Sequence, residues 1–230
     1  MNDLRYGVAE AIRLLLAGDA ELYAVVSRTL AISLLATLLA MAVGVPLGYG
    51  LARGNFRGRL VLLSAVNTGM GMPPVVVGLV VWLLLTRSGP LGSLDLIYTK
   101  PAMVLAQFVI ATPLVIGFTA ASIQALPRQL PDLLATLGAG RIRRLWIISQ
   151  EARLGLVAAV MAGFGAVVSE VGASMTVGGN LRGSTRVLTT AIVTETGRGN
   201  VPVALALGLV LLALAFAVNL LLTLIQQRQR

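Results

Sequence analysis

The sequence predicts an all-α polytopic membrane protein, with five transmembrane helices preceded by an amphipathic helix lying along the membrane surface. Three observations lead there. Of the 230 residues, 57% are apolar and only 12% charged, with a mean hydropathy of +0.90, whereas a soluble globular domain carries about 25% charged residues. Seventeen Arg and one Lys against nine acids leave a net charge of +9. These cations sit between apolar runs and form no continuous face that could follow phosphates, which argues against a nucleic-acid partner. Cys and His are absent, so disulfides, thiolate and imidazole metal sites and the commonest general base are excluded. The chain is not expected to be an enzyme or to hold a metal.

Residues 1–28 form a leader that mixes acids with Arg and lacks the profile of a cleaved signal peptide, so the first span is expected to stay in place. Within it Leu4, Val8, Ala11, Ile12 and Leu15 recur at helical spacing, with Asp3, Arg5, Glu10 and Arg13 elsewhere, the pattern of an interfacial helix in contact with lipid. Gly18 and Asp19 read as its stop and as the N-cap of the next helix. Residues 29–52 carry no charge between Arg28 and Arg53, giving about 36 Å of helix against a hydrocarbon core of about 30 Å. Uncharged runs of sufficient length recur at 60–86, 101–127 and 201–225, and the run 154–178 is apolar except for Glu170. These are the five spans of one transmembrane domain, 29–225. Residues 128–153 are too polar to span, and 226–230 make a polar tail.

Cytoplasmic loops keep Lys and Arg. The segments 53–59, 127–153 and 226–230 hold ten basic residues, at about twice the density of the eight on the other side, leader included. The N-terminus is therefore expected outside and the C-terminus in the cytoplasm.

Two features interrupt the spans. The second contains Asn67, Thr68, Gly69, Met70, Gly71, Met72, Pro73 and Pro74, and proline inside a helix removes a hydrogen bond and clashes with the preceding turn. A break at membrane depth lines a pathway or is a packing kink, and the residues alone allow both. Thr112 and Pro113 carry the same ambiguity. Glu170 is the one acid inside an apolar run, where a carboxylate at the bilayer centre costs about 2.5 to 3.5 kcal/mol; its nearness to the end of the run favours a structural or gating partner over a substrate ligand. Ser169, Ser174 and Thr176 lie beside it. Hydroxyls, backbone N–H groups and helix N-termini suit the walls of an anion path, and close helix packing by small residues is the competing account. Met72 and Pro73 fit a gate, Gly163 and Gly165 packing.

The inner loop offers Leu130, Leu133, Leu134, Leu137, Ile142, Leu145, Trp146 and Ile148 at near-helical intervals, interrupted by Gly138 and Gly140 and followed by Arg141, Arg143 and Arg144. Two short helices meeting at a glycine turn are expected. Such a basic element serves as a lipid-surface device or as a docking knob for a cytoplasmic partner.

These residues resemble a known family. Ala135-Thr136-Leu137-Gly138-Ala139-Gly140-Arg141, two spans before the C-terminus, is similar to the glycine-centred coupling loop of ABC importer permeases. Met72-Pro73-Pro74-Val75-Val76-Val77-Gly78-Leu79, Ser169-Glu170-Val171-Gly172-Ala173, and Gly179-Asn180 with Thr185-Arg186 resemble segments of molybdate and sulfate permeases. The runs 67–74, 150–153, 177–183 and 188–192 resemble most the tungstate-type permeases. The chain departs from the coupling motif at Pro131, Leu133 and Leu134, where Asp132 is the only acid, which leaves docking to shape and apolar burial.

The resemblance implies a type I ABC importer (MetI-like) transmembrane fold and a permease subunit for a tetrahedral oxyanion, tungstate before molybdate or sulfate, in the inner (plasma) membrane of a prokaryote. It implies a homodimer, two cytoplasmic ABC ATPase subunits that bind ATP and Mg, and an extracytoplasmic oxyanion-binding protein. No Gly-Lys-Ser/Thr phosphate loop occurs in this chain, which is expected to carry no cofactor itself. ATPase coupling would fall to Asp132, Ala135, Thr136, Leu137, Gly138, Ala139, Gly140 and Arg141. The pathway or gate would fall to Thr68, Gly71, Met72, Pro73, Pro74, Ser169, Glu170, Ser174 and Thr176. An ion-coupled secondary transporter would need internal repeats and coupling residues that are not evident.

Overall fold

The computed structural model describes residues 19–227 together with Ala9 and Arg13. The interfacial helix expected in the leader lies outside the described residues, as does the end of the tail from 228 to 230. All regular structure among the described residues is helical.

Helix α1 (Ala20–Arg53) begins nine residues before the expected span. Asp19 caps it as the sequence predicts, its side chain accepting a hydrogen bond from the Leu22 N–H at 2.7 Å. Its main partner is α4 (Lys100–Gln124), and the seam is set by small residues one turn apart: Ala36, Ala40, Gly44 and Gly48, all buried. A Cβ on Gly44 would come within 2.9 Å of Val115 Cγ1, and one on Gly48 within 2.8 Å of the Ile116 carbonyl oxygen. Lipid tails are as apolar as side chains, so backbones brought this close supply the dispersion contact that holds the pair. Pro113 does not break α4. Its ring lies where a side chain on Gly69 would be, so the packing account holds there.

The second expected span is two helices, α2 (Arg59–Met70) and α3 (Pro74–Leu85), bent by 104° at residues 71–73. A single 3-10 turn, Gly92–Leu94, follows on the way to α4. Beyond α4, the inner loop forms α5 (Leu130–Thr136) and α6 (Arg141–Glu151), and α6 meets α7 (Arg153–Val168) at 71°. The run expected as a fourth span, 154–178, is likewise divided: α7 stops at Val168 and α8 (Gly172–Gly178) starts after three residues. Outside the expected spans the chain adds α9 (Leu188–Gly197); α10 (Val201–Gln227) then covers the expected fifth span, 201–225. Helices α1, α4 and α10 are long and apolar enough to cross a membrane, and counting each bent pair as one span raises the number to five.

The main core lies where α1, α3, α4, α7 and α8 meet, around Ala36, Val81, Met103, Val115, Val167 and Val177. Gly163 faces Val115 across α4 and α7, as a packing residue should; among the described residues a Cβ on Gly165 would meet nothing within 4 Å.

Candidate functional site

The two broken runs come together. A Cβ on Gly172, the first residue of α8, would lie 2.4 Å from Val75 Cγ2, and one on Gly78 would lie 2.5 Å from Ala173 Cα. The starts of α3 and α8 are therefore in contact, and each break settles its backbone differently. At the first, Gly71 N–H donates to the Thr68 carbonyl at 3.1 Å and Met72 N–H to Gly69 at 3.3 Å. Pro73 and Pro74 have no N–H to satisfy, and Val76 and Val77 both donate to the Pro73 carbonyl. Among the described residues the Val75 N–H is the one donor of residues 71–77 left without a backbone acceptor, at the electropositive end of α3.

At the second break the acceptor is a side chain. Glu170, 5% exposed, receives the Ala173 N–H on Oε1 at 2.8 Å and the Ser174 N–H on Oε2 at 3.0 Å. Its own carbonyl accepts the Thr189 hydroxyl at 2.9 Å, tying α8 to α9. The carboxylate thus caps α8 and neutralises the end of its dipole. Ser174 is fully buried, 3.4 Å from Gln107 Nε2 on α4, and half-buried Thr176 bonds back to the Gly172 carbonyl. Thr68, Gly71, Met72, Pro73, Pro74 and Ser169 are exposed. The nine residues read from the sequence as path or gate therefore divide into an exposed set at the breaks and an inner set that frames α8.

The inner loop is an elbow. Gly138 has φ +76°, its N–H donates to the Ala135 carbonyl and the Ala139 N–H to Leu134, the paired bonds that close a helix through a left-handed residue. Gly140 has φ −64° and needs no such freedom. The apolar residues split by face. Leu130, Leu134 and Ile148 pack with Ile123, Tyr49, Ala52 and Leu156 at the ends of α1 and α4 and the start of α7. Leu133, Leu137, Ile142 and Trp146 point outward, exposed by 56%, 74%, 84% and 64%. Asp132, Ala135, Thr136, Gly140 and Arg141 are exposed around them and Ala139 is partly covered.

At the opposite end lies a network that the sequence does not reveal. Arg28 is buried and donates to the Arg186 carbonyl at 2.9 Å. Leu188 N–H donates to the Thr29 hydroxyl, and Arg182 pairs with Glu21. The Arg182 hydrogen bond, with the nearby positive charge, holds the Glu21 carboxyl below its usual range. These pairs join residues about 160 positions apart, and no local spacing records them.

Comparison with known proteins agrees with this architecture. Residues 44–230 match the family described as binding-protein-dependent transport system inner membrane component. The chain is 37% identical over 227 residues to the tungstate uptake system permease protein TupB of Peptoclostridium acidaminophilum, covering 99% of this chain and 100% of that one. It is 41% identical over 192 residues to a probable anion ABC transporter permease protein of Haloferax volcanii, covering 80% and 83%. Among solved structures, an inward-facing MetNI methionine ABC transporter matches with a TM-score of 0.74 at 18% identity, covering 91% of this chain and 96% of that one. That likeness carries the expected MetI-like fold, and with the family match it follows that the chain belongs to the binding-protein-dependent transport system inner membrane components.

Proposed function

We propose that this chain is the permease subunit of an ATP-driven importer of a tetrahedral oxyanion, with tungstate as its cargo. Full-length likeness to a tungstate uptake permease carries the assignment. Two copies would form the path, with the N-terminus outside and the C-terminus in the cytoplasm. Two ATPase subunits, holding ATP and Mg, would grip the two elbows, and an external binding protein would deliver the anion.

The elbow is suited to this because its inner face is anchored in the bundle while Leu133, Leu137, Ile142 and Trp146 stand free. A few apolar anchors can dominate an interface, so docking does not need the missing acids. Asp132, Ala135, Thr136, Gly138, Ala139, Gly140 and Arg141 complete that surface. Movement of the elbow would reach the breaks through α7, which follows α6 directly and leads to Ser169. There the exposed Thr68, Gly71, Met72, Pro73, Pro74 and Ser169 would form the gate, with the Val75 N–H offered to an anion. Glu170, Ser174 and Thr176 would hold α8 in place beside it. The absence of a fixed cation among these residues suits a path, since strong binding would trap the anion.

The test is reconstitution in proteoliposomes with the cognate ATPase and binding protein, following tungsten uptake by elemental analysis. Uptake should require internal ATP, and a tenfold excess of molybdate or sulfate should compete poorly. Strong competition by either would reassign the cargo, and uptake driven by an ion gradient without the ATPase would overturn the importer mechanism.

A further inference from the structure

A polar cleft of about 720 Å³ lies at the root of the elbow, away from its apolar tip, between the inner ends of α1 and α4 and the start of α5. Arg53, Arg59 and Arg128 line it together with Tyr49 and Asp132. A second hollow of about 280 Å³ shares Tyr49 and Pro131 with the first and adds Arg141 and Arg144. Five arginines thus line two hollows that share Tyr49 and Pro131, with Asp132 the one acid among the lining residues.

The cations are poorly used within the fold. Among the described residues Arg53 reaches only the Pro127 carbonyl, with both terminal nitrogens at 3.4 Å, and its buried Nε has no partner. Arg59 uses Nε alone among the described residues, on the Leu51 carbonyl at 2.7 Å. No ion pair links Asp132 to an arginine among the described residues. The planar donor forks of guanidinium groups match tetrahedral oxyanions and phosphates. Positive charge at a cytoplasmic membrane face is ordinary; a concave site with an unsatisfied buried donor is a more specific feature.

We propose that this cleft binds a phosphate-class oxyanion on the cytoplasmic side, either the phosphate of an anionic lipid headgroup or a free tetrahedral anion. The site is separate from the path and lies behind the apolar docking tip of Leu133, Leu137, Ile142 and Trp146, sharing only Asp132 and Arg141 with the docking surface. It rests on the cytoplasmic placement of the elbow and is independent of the cargo.

The full-length chain in its native assembly is placed in phosphatidylcholine nanodiscs and titrated with inorganic phosphate by calorimetry. In parallel, native mass spectrometry from mixed phosphatidylglycerol and phosphatidylcholine reads which lipid is retained. Arg53→Gln with Arg128→Gln should weaken whichever ligand binds by about tenfold or more, the loss of one charge-assisted contact. Arg53→Lys with Arg128→Lys should keep part of the binding, and Asp132→Asn should strengthen it by removing the opposing charge. Phosphate binding in phosphatidylcholine that follows this order identifies a free-anion site. Selective retention of phosphatidylglycerol that follows it identifies a lipid site. Absence of both, or binding indifferent to these substitutions, overturns the proposal, and neither result depends on whether tungstate is transported. If the double Gln variant does not fold, the Lys and Asp132→Asn variants decide the matter.

Discussion

Gly138 and Gly140 look equivalent in the sequence and differ in the fold. Neither would place a Cβ near another atom, so the left-handed conformation at Gly138 is the only local demand for glycine, worth about 1–2 kcal/mol against an L side chain. Gly138→Val should therefore loosen the elbow and reduce both ATPase association and transport, while Gly140→Ala should leave the elbow's stability unchanged; pull-down and uptake measured on the same preparations check this. Glu170 makes a second contrast. Glu170→Gln turns an acceptor into a donor facing the Ser174 N–H, which should cost about 1–3 kcal/mol as an unmet buried bond. Thermal unfolding should shift while the apparent affinity for cargo stays put; a changed affinity at unchanged stability would place the side chain on the path. At Glu21 the sign follows from its lowered pKa. The ion pair with Arg182 contributes fully above the ordinary value of 4.5 and is lost as the pH falls through the lower folded value. The difference in unfolding temperature between the native chain and Arg182→Gln should vanish at that acidic end, and it should be small throughout because both side chains face solvent.

At the scale of the element, the seam between α1 and α4 separates two glycines of one helix. Gly48→Leu drives a side chain into Thr119 and the Ile116 carbonyl, whereas Gly50→Leu meets nothing. Overpacking should cost the first about 1–3 kcal/mol and the second almost nothing, as read from the unfolding temperature in one detergent. The apolar runs made most helices legible because a span must be long and uncharged to cross lipid. The glycine turn was legible because Gly138 is flanked by apolar residues at helical spacing. Less was visible where a helix is short or its partner distant. Helix α9 sits in a polar segment that carries no span signal, and the division of the 154–178 run depends on a carboxylate folding back onto its own following turn. Glu170 could be flagged as anomalous from the sequence, but its role as a cap required the position of Ala173 and Ser174. The stripe Ala36, Ala40, Gly44 and Gly48 was present as small residues every fourth position, a pattern known to bring membrane helices together.

For the whole molecule, the elbow and the network around Arg28, Glu21 and Arg182 lie at opposite ends of α1. Arg53, Arg59, Arg128, Arg141, Arg143, Arg144 and Arg153 all fall at the elbow end, while Arg28, Arg182 and Arg186 are drawn into contact with one another's backbone or with Glu21 at the other. The natural absence of cysteine allows a direct test. Asn55→Cys and Ser184→Cys both occupy exposed loop positions away from the buried core, so each should fold normally. In intact cells a membrane-impermeant maleimide should label Ser184→Cys and spare Asn55→Cys, which should react only after the membrane is opened. The reverse pattern would put the elbow outside, where no ATPase could reach it, and would remove the mechanical coupling while leaving the fold and the family untouched. Equal labelling of both positions in sealed cells would show a mixed population and would require the arginine-rich loops to be weaker topological signals than their density suggests.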